Sequence, residues 1–263
     1  LTHPPREPPP GGVKKGPEPY NTGGPERYQA VMNRHPRRTV AALSFCLALV
    51  PVALAGPVRA APAQPPAEPV VMQLEDAISL LVEVEEDRTG FSPTAFPHWN
   101  EGRDPADGCT TENEVLRTEA VDEPAVSGSC ALSGGRWVSY YDNQSTTQLS
   151  SLAVDHVVPL ADAWASGASA WTAERREAYA NDQDSPYTLA AVTRRTVQEK
   201  AGRDISGWQP AETGPLCRYA GDWVGTKLRW GLSTDKAELE ALKMFADNMC
   251  ETTVVRHLPG PAQ

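Results

Sequence analysis

Four cysteines set the tightest limit on what this chain can fold into. Cys109, Cys130, Cys217 and Cys250 all lie downstream of a segment with the make-up of an export signal, and no two of them form a CxxC pair. In an oxidising compartment an even set of this kind predicts two disulfides, whereas a zinc knuckle or a thioredoxin-type motif needs the paired spacing that is missing. Three pairings are open, and proximity along the chain favours Cys109–Cys130 and Cys217–Cys250. In the chain-entropy view each closed loop stabilises the fold by roughly 3–4 kcal/mol.

The export reading rests on residues 32–60. Met32 is followed by Arg34, Arg37 and Arg38, then by an apolar run from Val40 to Ala55, then by a small-x-Ala exit at Val58-Arg59-Ala60. A basic start, a short apolar run and such an exit make a secretory signal peptide. The run is short for a membrane span and Pro51 interrupts it,. Cys46 lies inside it and leaves with it. Residues 1–31 hold eight Pro and five Gly and cannot bury enough apolar surface to offset their ordering entropy. Met32 is therefore expected to be the true start, with 1–31 as upstream translation. Residues 61–71 read as a Pro/Ala linker. The expected product is a secreted, monomeric chain with no membrane attachment after processing. From Ala61 onward 16 Lys and Arg face 31 Asp and Glu. That balance excludes a protein that coats nucleic acid non-specifically, because such binding rests on phosphate neutralisation.

Residues 72–258 read as one α+β domain. From Met72 the spacing predicts a helix with Leu74, Ile78, Leu81 and Val82 on one face, stopping near Gly90,. Residues 91–108 carry turn pairs and read as loop, anchored by Phe96 and Trp99. Residues 111–120 fit helix or strand. Trp137 to Tyr141 and Leu152 to Pro159 read as strands. Helical pattern follows from Leu160, again after an N-cap at Thr172, and over Thr188–Lys200. Two helices end the domain: Tyr219, Trp223 and Trp230 lie on one, Leu239, Leu242, Phe245 and Met249 on the other. Asp235 and Glu238 have capping-box spacing at the start of the second.

The domain has three histidines, His98, His156 and His257, and no GxSxG, HExxH, P-loop or GxGxxG. The common hydrolase, zincin and nucleotide-binding classes are thereby excluded. Asp155-His156 stands at a strand end before Pro159 and a helix, which would bring a carboxylate and an imidazole to one mouth. The first suits a hard cation and the second takes a proton from water near neutral pH. A hydrogen-bonded structural pair is the bland alternative. His98 reads as a satisfied structural histidine and His257 as an exposed tail residue.

The wider context favours the chemical reading. The stretch Asp155-His156-Val157-Val158-Pro159-Leu160-Ala161-Asp162-Ala163-Trp164 resembles the core of exported HNH endonuclease-family proteins, related to the C-terminal domain of GmrSD-type restriction endonucleases. The resemblance extends through Glu86-Asp87-Arg88-Thr89-Gly90, Phe96-Pro97-His98-Trp99, Asp107-Gly108-Cys109 and Glu114-Val115-Leu116. Downstream it takes in Ala180-Asn181-Asp182, Lys200, Trp208, Cys217-Arg218-Tyr219, Trp223 and Lys227. It implies a ββα-metal, HNH-like core inside a mostly helical domain, with Mg²⁺ or Mn²⁺ as cofactor and nucleic acid as substrate. It further implies that Asp155 ligates the cation, that His156 deprotonates the attacking water, and that an Asn orients the His while a third ligand sits on the following helix.

Two of those positions depart from the family. Ser185 stands where the orienting Asn belongs, and Val197-Gln198-Glu199-Lys200 stands for the usual Asn-Arg-Ser-Lys. Glu112 also takes the place of an expected Arg. Valine has no donor atom. Gln198 is the nearest replacement ligand, because Glu199 is about 200° of helical turn from the Val197 direction. Asp182 and Asp184 are further candidates. Arg194, Arg195 and Lys200, with Arg175, Arg176 and Arg203, could hold phosphates, although such pairs are commonly solvated helix faces. The expectation is a secreted HNH-family endonuclease weakened at its third ligand, with a catalytically degenerate nuclease-fold binding module as the alternative.

Overall fold

In the extended chain Leu152, Val154 and His156 alternate with Ala153 and Asp155, and this alternation organises the centre of the molecule. The structure, a computed structural model, describes residues 68–261. The expectations for residues 1–31 and 32–60, and for most of the 61–71 linker, lie outside the described residues.

The elements run β1 (Val70–Gln73), α1 (Leu74–Ser79), α2 (Thr111–Thr118), β2 (Ala125–Ser127), β3 (Ala131–Ser133), β4 (Trp137–Ser139), β5 (Gln144–Thr146) and β6 (Leu152–His156). Then come α3 (Leu160–Ala165), α4 (Ala173–Ala180), β7 (Leu189–Thr193), α5 (Arg194–Lys200), α6 (Thr213–Trp230), α7 (Lys236–Asn248) and β8 (Val254–His257). The strands pair as four antiparallel ribbons: β1 with β8, β2 with β3, β4 with β5, and β6 with β7.

The β6–β7 ribbon divides two apolar clusters. Ala153 faces Val192 and Asp155 faces Ala190 in register, and Ala190 and Val192 belong to the larger cluster with Tyr141, Tyr179, Tyr219, Trp223 and Trp230. Leu152, Val154, Leu189 and Ala191 join the smaller one with Val115, Leu116 and Trp137. The period of two in the sequence is thus a period of two in packing.

Helix α6 is the spine of the larger cluster, and from Tyr219 to Lys227 it is buried on every side. The β1–β8 ribbon lies against it because Gly225 leaves room: a Cβ there would stand 3.1 Å from the Arg256 carbonyl oxygen. The disulfides are Cys109–Cys130 and Cys217–Cys250, as proximity favoured. The second ties the first turns of α6 to the residues just after α7. Thr172 caps α4, and the Asp235/Glu238 capping box is complete.

Three segments differ from expectation. Helix α1 ends at Ser79, and residues 82–84 are extended because Thr234 N donates to Val82 O and Val84 N donates to Thr234 O. Val82 is consequently exposed rather than on a buried face. Thr188–Lys200 is a strand followed by a helix, since Leu189–Thr193 pairs along the whole of β6. His257 sits half-buried on β8 opposite Val70, not in an exposed tail. Among the described residues no helix is long and apolar enough to cross a membrane.

Candidate active site

Strand alternation delivers Asp155 and His156 to different partners rather than to one mouth. Asp155 turns toward α5 and the residues just after β4. Its Oδ2 accepts from Lys200 Nζ at 2.6 Å and from the Tyr141 hydroxyl at 2.8 Å. Lys200 is 1% exposed, and its other two protons go to the carbonyls of His156 and Val157, both at 2.8 Å. The ammonium thus fastens the end of β6 to the end of α5. Burial pushes its pKa down and the Asp155 carboxylate pushes it back up.

His156 packs against Trp99, with ring centroids 5.2 Å apart and nearly parallel, and lies near Tyr179 and His98. Trp99 reaches this position from a left-handed backbone, φ 59°. His156 Nε2 is 2.9 Å from the Ala180 carbonyl oxygen. A carbonyl only accepts, so Nε2 carries the proton and Nδ1 holds the lone pair of the neutral ring. Burial lowers the His156 pKa from 6.5 to about 4, against the Ala180 hydrogen bond and the Asp155 charge, which both favour the cation,.

The sign of the pH effect follows. The folded value lies below the unfolded one, so the stability from burying neutral His156 is complete above about pH 6.5 and is lost as pH falls toward about 4,. Imidazole NMR is expected to show the Nε2-protonated tautomer at neutral pH, with His156 titrating near pH 4 while a freely solvated histidine titrates near 6.5,. A midpoint above about pH 6 would show that the ring is not enclosed in this way.

The other expected site residues are dispersed. Ser185 is buried, but its Oγ accepts from Tyr187 N at a tight turn, and the hydrogen bond of the His156 ring goes to the Ala180 carbonyl. The Ala180 carbonyl does the orienting instead. Gln198 is exposed on α5, while Val197 packs against the larger cluster. Asp182 is buried under Arg229, Trp230 and Thr188. Asp184 is an exposed partner of Arg103. Arg194 donates to the carbonyls of Ser150 and Leu152, and Arg195 pairs with Asp142 and Glu199. Lys200, expected on a phosphate-holding face, is sealed inside with all three protons engaged. Arg203 is turned onto the carbonyls of Lys200 and Gly207. These cations hold the fold together.

The donor set does not fit a divalent cation at Asp155. One of its oxygens already serves Lys200 and Tyr141, the facing helix offers valine, and the glutamine beside that valine is directed to solvent. Among the described residues, Asp155 and His156 belong to no group of three His, Cys, Asp or Glu side chains close enough to share an ion. Trp99, Tyr141 and the Ala180 carbonyl shape the site. Of these, only Trp99 carried a signal in the sequence, as an aromatic anchor inside a turn-rich loop.

Residues 111–196 match the family model described as GmrSD restriction endonucleases, C-terminal domain. That span includes β6, β7 and the first three residues of α5. The chain is also 37% identical over 189 residues to an uncharacterized secreted protein of Arthroderma benhamiae, covering 70% of this chain and 90% of that one. No solved structure matches.

Proposed function

Because the chain belongs to the family of the C-terminal domain of GmrSD restriction endonucleases, we propose that it is a secreted HNH-type phosphodiesterase whose base is in place and whose metal half is depleted. The order β6, β7, α5 supports a ββα core, with the insertion α3–α4 between the two strands. Two disulfides and the secreted relative support an extracellular location,.

The observation that carries the reading is the fixed tautomer of His156. Its Nε2 proton is held by the Ala180 carbonyl, which reserves the Nδ1 lone pair for a water proton,. Trp99 and Tyr179 clamp the ring, so no reorientation is needed before proton transfer. Burial keeps the base form at neutral pH, at the expense of proton affinity. Lys200 has no proton to spare for charge on a leaving oxygen, and the donors around Asp155 do not suit the cation that would balance it. Slow hydrolysis of nucleic acid is the consequence.

Plasmid nicking by the secreted protein tests this. Wild type is expected to nick above background with Mg²⁺ or Mn²⁺ present, and His156→Ala is expected to remove that activity, with circular dichroism checking that the variant is folded. Nicking that survives in folded His156→Ala, or none in wild type, would leave a nuclease-fold binding module as the better description.

A further inference from the structure

The segment that follows α1 crosses the surface as an open edge. Val82 O accepts from Thr234 N and Val84 N donates to Thr234 O, so one side of it is occupied. In an extended chain the amide and carbonyl of the residue between them point the opposite way. Those of Glu83 take no backbone partner among the described residues. Glu83 is exposed, and so are Leu80, Val82 and Val84, at 55%, 66% and 50%. An unpaired edge that carries apolar side chains is a ready template for another strand.

The alternation Val82-Glu83-Val84-Glu85 gives the two faces of this edge opposite characters,. Val82 and Val84 line a groove of about 600 Å³ together with Leu80, Leu81, Leu228 and Leu232. Glu83 and Glu85 line a cleft of about 570 Å³ together with Glu86 and Asp235, and Glu85 borders both spaces. Among the described residues neither Glu83 nor Glu85 is in a salt bridge. The nearby cations are engaged, Arg88 by Glu86 and Lys236 by Glu240 at 3.8 Å.

A strand laid along this edge would send its side chains alternately into the groove and into the cleft. The groove takes apolar side chains, and the cleft takes cations. A second copy of the chain has the wrong pattern. Paired antiparallel with itself, the segment would bring Glu83 and Glu85 against the same two acids; paired parallel, it would turn them toward the apolar groove.

We propose that residues 82–85 dock an extended segment of a partner protein in which Lys or Arg alternates with apolar residues, adding it as a strand. The surface shares no residue with the Asp155–His156 pair.

Fluorescence anisotropy of a labelled peptide of four Lys-Val repeats, titrated with the full secreted chain, tests it. Saturable binding that weakens as NaCl is raised is expected. A peptide of the same composition with its lysines and valines in two blocks, and one of four Glu-Val repeats, are expected to bind at least about tenfold more weakly. Glu83→Lys combined with Glu85→Lys, both at exposed positions, is expected to cost the Lys-Val peptide at least about tenfold in affinity while circular dichroism stays unchanged. No binding by wild type overturns the proposal. So does equal binding of the block-ordered peptide, which would mean general attraction to an acidic surface, or binding that the double charge reversal leaves intact.

Discussion

Lys200→Met is expected to destabilise the protein by about 3–5 kcal/mol, the cost of leaving one member of a buried ion pair alone. Methionine fills similar volume, so the loss is not one of packing. What disappears is the ammonium that holds Asp155 Oδ2, together with the donors to the His156 and Val157 carbonyls. Tyr141 remains on Asp155, but one neutral hydroxyl does not balance a carboxylate only 12% exposed. Urea unfolding with the disulfides intact measures the effect. Asp155→Asn in the Lys200→Met background is expected to restore part of the loss, because the uncompensated charge goes. A deficit below about 1 kcal/mol would place this pair with ordinary surface bridges and remove its claim to hold the strand end.

The same pair shows where a sequence stops being readable. Lys200 and Asp155 are 45 positions apart, and only the pairing of β6 with β7 brings α5 over the strand end. Over Thr188–Lys200 the local signals point the wrong way: Ala190 and Ala191 are good helix formers, and the partner strand, which overrides them, is not visible in a local window. The β1–β8 ribbon escaped for the same reason, since its strands lie at opposite ends of the domain. Local chemistry was legible. Thr172 and Asp235 act as caps where their side chains and spacing said they would. Both disulfides join cysteines that are neighbours in the chain. The candidate site lies between these extremes. Asp155-His156 was visible as a motif, but the atom that orients His156 is a backbone carbonyl, which no residue type encodes. Trp99 could be identified as an anchor, and its stacking on His156 depends on a left-handed backbone that nothing in the residue type demands.

Val197→Asn is expected to raise nicking by about 10- to 100-fold in Mg²⁺ or Mn²⁺, a barrier change of about 1.4–2.8 kcal/mol. The geometry supports the position. Val197 and Lys200 are three residues apart on α5 and share a face, and Lys200 already reaches Asp155 from that face,. An amide oxygen at 197 would therefore enter on the Asp155 side, whereas Gln198 is turned to solvent. Asp155 Oδ2 is committed to Lys200 and Tyr141, so a cation would have Oδ1 and the new amide as its protein donors. Two oxygens and a shell of water would hold Mg²⁺ weakly, and an ion held there would supply charge stabilisation for a leaving oxygen. Calorimetry should then show divalent binding that Asp155→Asn removes, and His156→Ala should return the rate to background. If Val197→Asn binds metal no better than wild type and nicks no faster, α5 does not carry the third ligand of this site.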